Sequence, residues 1–216
     1  MALLSRLQRG LETVYRIATG VDVRDFVIDA EARAAALDDG DHPRRPREQL
    51  LIAEDNGEVS LGLFVDPGVV AHLERHDPAQ ELGDHNVGDF LLAVEGVSHF
   101  VYAVYCAQVQ REVSALELEL QAEVDKYVTC LLTAGDEEAR SARWRRRLYE
   151  NFVFEPDLDP VERDRYRAAN ANARRFAASL EQRFVTGRRI GDMLHELRRF
   201  YRLSLPAKLD HIARAA

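Results

Sequence analysis

The 216-residue chain has little of what secreted, membrane-spanning or phosphate-loop proteins are built from. Its two cysteines, Cys106 and Cys130, cannot form a disulfide framework, and both sit in apolar stretches where cysteine acts as a small hydrophobe. A reducing cytoplasm is the compartment this predicts. The longest stretch free of Asp, Glu, Lys and Arg runs from Gly96 to Gln110, short of the roughly 20 apolar residues a spanning helix needs, so no membrane is expected. Near the N-terminus Arg6, Arg9 and Glu12 interrupt any signal-peptide apolar core. Glycine is too sparse around Gly187 and Gly191 for a Walker or dinucleotide fingerprint. There is no nucleophile elbow, and Ser98 beside His99 cannot readily meet it on a helix. Lysine occurs only at Lys126 and Lys208, so nearly every cation is an arginine, the side chain that grips carboxylate or phosphate with paired hydrogen bonds.

What is present is a soluble globular composition, 46% hydrophobic and 31% charged, with a net charge of -8. The charge is unevenly placed. Residues 1–139 carry 11 Lys+Arg against 27 Asp+Glu, and residues 140–216 carry 18 against 10. The expected organisation is therefore an acidic α+β core domain over 1–139 and a basic helical subdomain over 140–216 folded onto it by charge complementarity.

Hydrophobic periodicity supplies the elements. Leu4, Leu7, Leu11, Val14 and Ala18 predict a helix ending at Gly20, and Val21 to Ile28 a short strand before the Ala-rich helix Ala30 to Leu37. The proline-containing segment 38–47 reads as an exposed loop. Asn56-Gly57 between two apolar runs predicts a β-hairpin over 48–65, and Asp66-Pro67 the start of a short helix. Longer helices are expected over 87–109 and, from a Ser114/Glu117 capping box, over 114–133. Beyond Gly135 the pattern is helical throughout, with starts at Asp159-Pro160 and Pro206. The fold class is α+β and mostly helical: a small antiparallel sheet packed by helices, followed by an all-helical, arginine-rich C-terminal part.

Glu95 and His99 lie four residues apart within the apolar segment Phe90 to Ala107, and Glu119 and Glu123 repeat that spacing on the next helix. Ionisable groups in such surroundings need partners, because burying one unpaired costs several kcal/mol. If the two helices pack side by side, Glu95, His99, Glu119 and Glu123 would offer three oxygens and one nitrogen to a divalent metal ion. The spacing departs from the Glu-x-x-His of di-iron bundles and from His-Glu-x-x-His, and LELELQAEVDK lacks the paired signatures of all-α nucleotide pyrophosphatases. A second set, His195, Arg198, Arg202 and Lys208, forms a basic stripe that predicts anion binding, with nucleic acid reached if Arg174, Arg175, Arg188 and Arg189 extend it. His72 and His76 share a helical face near His85, an arrangement that suits zinc or, more commonly, plain surface histidines.

The leading functional expectation is a cytosolic regulatory or interaction protein with a protein partner or a second copy of itself. The alternative is a small metal-dependent hydrolase acting on a phosphate-bearing substrate, and the third is nucleic-acid binding through the C-terminal arginines.

Overall fold

The structure, a computed structural model, describes residues 2–37, 46–56, 58–134, 138–150 and 158–215. It is a mostly helical α+β protein with one two-stranded antiparallel sheet among the described residues. The chain divides into two compact units: residues 1–10 with 18–112, and residues 11–17 with 113–216.

The first unit is organised by α4 (Val87–Gln108). Thirteen of its residues are buried, among them Phe90, Val94, Val97, Phe100 and Val101, so this is a core helix. Its length and apolar composition would also suit a membrane span, yet 67% of the most apolar window is buried inside the protein. Against it rest the strands β1 (Glu48–Asp55) and β2 (Glu58–Val65), paired from Glu48↔Val65 to Asp55↔Glu58. Asn56 takes φ 51°, the left-handed conformation a tight hairpin turn requires, while Gly57, the other half of the predicted turn, lies outside the described residues. The hairpin approaches α4 at Gly96. A Cβ there would stand 2.9 Å from Glu48 Cγ and 3.1 Å from Leu63 Cδ1, which explains a glycine inside a long helix.

Asp66 caps α3 (Pro67–Arg75), accepting from the Gly68 amide at 2.7 Å, with proline at the first position as predicted. The strand expected over Val21 to Ile28 forms instead a 3₁₀ turn, Val23–Phe26, capped by Asp22. Only Val27 bridges the sheet, at Leu63. Helix α2 (Ala30–Ala36) follows, with Asp29 as its cap. Most of the loop predicted at 38–47 lies outside the described residues.

Helix α1 (Ala2–Tyr15) stops five residues before the predicted Gly20. Arg16 adopts φ 51° and the Ile17 amide reaches back to the Glu12 carbonyl at 3.1 Å. This is a Schellman end made by arginine, a residue that carries no sequence signal for it.

The second unit is all helical among its described residues. α5 (Ala115–Ala134) lies against α6 (Glu138–Tyr149) and α7 (Pro160–Leu180), and α7 continues through a π-helical turn, Glu181–Val185, before α8 (Ile190–Tyr201) and α9 (Leu205–Ala215). The Ser114 hydroxyl accepts from the Glu117 amide at 3.2 Å, and Asp159 with Glu162 forms a full capping box on α7. Phe176 stacks on Phe200 at 4.1 Å and Tyr15 on Tyr201 at 3.9 Å.

Two outcomes follow. Gly96→Val, which would ordinarily remove a helix-weakening glycine, should instead destabilise by about 1–3 kcal/mol, read by urea unfolding, because the hairpin already occupies the space. Burial also pushes the Cys130 thiol from the usual 9 up to about 12, and the Tyr127 phenol from 10 up to about 12. The unfolded chain then loses these protons first. Their contribution to stability is full below pH 9 and lost as pH rises toward 12, so the urea midpoint should fall across that window and Cys130→Val should soften the onset.

Candidate functional site

Glu95 and His99 belong to the first unit, one turn apart on α4. His99 is buried, and its Nδ1 lies 3.5 Å from Oε1 of Glu48, itself nearly buried at the start of β1. Gly96 makes room for this carboxylate. Glu48 carries no motif. Only its place as first residue of a strand facing an apolar helix marks it.

Glu119 and Glu123 belong to the second unit, on α5. Glu123 Oε1 accepts from Lys126 at 2.7 Å, and both side chains are buried. Glu119 lies 3.9 Å from Arg165 of α7. The Tyr149 hydroxyl donates to the Glu123 carbonyl at 2.8 Å, and burial followed by the nearby Glu123 charge raises that phenol well above its ordinary pKa. In the second unit each of these carboxylates thus faces a cation of its own unit.

The predicted anion set spreads over two helices. His195, Arg198 and Arg202 are on α8, and Lys208 is on α9. Arg198 Nε donates to the Val14 carbonyl at 2.8 Å, and Arg202 reaches the carbonyls of Tyr15 and Arg16 at 3.2 and 3.3 Å. Two cations therefore close the last turn of α1, where carbonyls lack helical partners and the helix dipole is negative. Burial, with Arg16 and Arg202 nearby, lowers the Arg198 pKa. Lys208 is fully buried. Its ammonium donates to Gln121 Oε1 at 2.7 Å, lies 3.9 Å from Glu117 and sits 5.0 Å over the Phe200 ring. Gln121 in turn donates to Asp125 at 2.9 Å, and Asp125 accepts from the Tyr15 hydroxyl.

That network seats α9, and α9 brings a different set of cations to the surface. Arg183 from the π turn, Glu196 and Arg199 from α8, and His211 and Arg214 from α9 line a cleft of about 450 Å³. Glu196 Oε1 bridges two of them, 3.0 Å from Arg183 and 2.9 Å from His211 Nε2. His211 also lies beside the stacked Phe176–Phe200 pair, 5.9 Å from each ring. Neither Arg199 nor Arg214 has a carboxylate partner among the described residues, so three guanidiniums face one carboxylate and the cleft is net positive. Arg183 could not be picked out by periodicity, because the π turn shifts it out of register with the α-helical face. The chain matches no family model, no curated protein and no solved structure.

Breaking a buried ion pair from one side costs about 3–5 kcal/mol, since the remaining charge stays buried and unpaired. Lys208→Met should lose stability on that scale in urea unfolding. Adding Glu117→Leu should recover part of it, because Glu117 is also buried.

Proposed function

We propose that the chain is a cytosolic regulatory protein whose second unit binds a small phosphate-bearing ligand in the arginine-lined cleft. The observation that carries this is the gathering of Arg183, Arg199, Arg214 and His211 round about 450 Å³ with Glu196 as the sole acidic lining residue among the described residues. A volume of that order suits a small ligand. Guanidiniums without carboxylate partners are preorganised for phosphate oxygens through parallel charge-assisted hydrogen bonds. Glu196 is already engaged by Arg183 and His211, so it orders the donors rather than repelling an anion outright. Both cysteines are free, buried thiols, in keeping with a reducing compartment. An overall charge of -8 disfavours a long polyanion, which sets a small ligand ahead of nucleic acid.

Titration calorimetry with inorganic pyrophosphate should show binding at low salt that weakens as salt is added. Arg199→Ala with Arg214→Ala should lower the affinity by about tenfold or more for each guanidinium removed. No detectable binding at millimolar pyrophosphate, or unchanged binding in the double variant, would overturn the proposal. Tighter binding of a single-stranded oligonucleotide than of pyrophosphate would replace it with nucleic-acid recognition, and steady release of phosphate from the ligand would replace it with hydrolysis.

A further inference from the structure

We propose that His72, His76 and His85 hold one divalent transition-metal ion of the zinc class, with Asp89 positioning His72. All four residues lie in the first unit, away from the cleft residues in sequence and in unit, so this site stands or falls independently of the proposed function.

The geometry begins with α3. His72 and His76 are one turn apart, and their ring centroids lie 4.8 Å from each other. His85, from the loop before α4, brings its ring to 5.6 Å from that of His76. Imidazoles sharing one tetrahedral ion through metal–nitrogen bonds of about 2.0–2.1 Å have centroids about 5 Å apart. The two observed separations bracket that value.

The loop that delivers His85 is fixed by a buried side chain. Asn86 is 1% exposed, and its amide donates to the carbonyls of His76 and Glu81 at 3.0 and 2.8 Å while its oxygen accepts from the Gly83 amide at 3.0 Å. Gly83 leaves the His85 ring room to lie close, since a Cβ there would stand 3.2 Å from Nδ1. One asparagine thus ties the backbone of the second histidine to the loop that carries the third.

Asp89 supplies the orienting partner that metal-binding histidines commonly have. Its Oδ2 lies 2.7 Å from His72 Nδ1, which places the proton on Nδ1 of a neutral ring and leaves the Nε2 lone pair for an ion. Asp89 is itself held by Arg47, 3.2 Å from its other oxygen. The ring nitrogens of His76 and His85 have no hydrogen bond or ion pair among the described residues. As the rings stand, the ligand nitrogens are not gathered on one point. His76 and His85 are exposed, and the site requires their rings to turn toward the Nε2 of His72. Three imidazole nitrogens favour zinc, copper or nickel over magnesium or calcium, and the fourth position is left to water or an external ligand.

The test uses the full, untagged chain, stripped with chelator and titrated with Zn²⁺ by calorimetry, with bound metal counted by mass spectrometry. One equivalent is expected. His76→Ala with His85→Ala should abolish it, and Asp89→Asn should weaken it by about 10–100-fold. Both histidines are exposed, so metal-free thermal unfolding of the double variant should match the parent; His76→Gln serves as the milder variant if it does not. With Co²⁺ in place of zinc, the visible bands of a tetrahedral nitrogen site should appear in the parent and vanish in the double variant. Uptake that survives the double substitution, or no stoichiometric uptake, would overturn the site.

Discussion

A single buried ammonium governs the second unit. Lys208 Nζ has no access to water, and an ion so placed costs several kcal/mol unless its partners repay the lost hydration. Gln121 and Glu117 of α5 do so from one side, and the Phe200 ring contributes its negative face from another. These demands fix where α9 lies and how it is rotated. Three residues beyond Lys208 the same helix presents His211, and three further on Arg214, both at the cleft. The position of those cations is therefore set by a polar constraint in the interior, which tolerates less slippage than apolar packing does.

Much of the fold was legible because its signals are local. Asn56-Gly57, Asp66-Pro67, Ser114 with Glu117 and Asp159-Pro160 each act on the backbone within a few residues, and the hairpin and helix starts appear where those residues stand. Misjudged boundaries were those with no local chemistry behind them. Arg16 takes a left-handed conformation without being glycine or asparagine, and the apolar residues from Val21 to Ile28 bury themselves through a 3₁₀ turn instead of a second ladder.

The candidate sites were less legible, because a charged residue's partner is chosen by tertiary packing. Glu95 and His99 were conspicuous for sitting in an apolar run, but nothing near them in sequence announces Glu48. Lys208 looked like one more cation in a basic stripe, whereas packing places it in the interior, and Arg183 is turned toward Glu196 by a π turn that periodicity does not register. The charge asymmetry also changes meaning. Counted by compact unit, the first has 9 Lys+Arg against 19 Asp+Glu and the second 20 against 18. The acids of α5 thus meet the arginines and Lys208 inside one unit, as Arg165 with Glu119 and Lys208 with Glu117 illustrate.

That internal balance explains why the cleft can hold a local excess of positive charge in a nearly neutral unit. Several second-unit arginines are committed elsewhere: Arg145 to Glu181, Arg174 to Glu150, Arg198 and Arg202 to the end of α1. The first unit follows the same rule with a different currency of ligand. Its acidic excess leaves carboxylates to spare, so one of them, Asp89, orients a histidine, and a buried asparagine holds the loop that supplies another. In both units a buried polar group fixes backbone, the backbone presents polar side chains at the surface, and the charge and donor atoms of those side chains define the chemistry of what they would take from outside the protein.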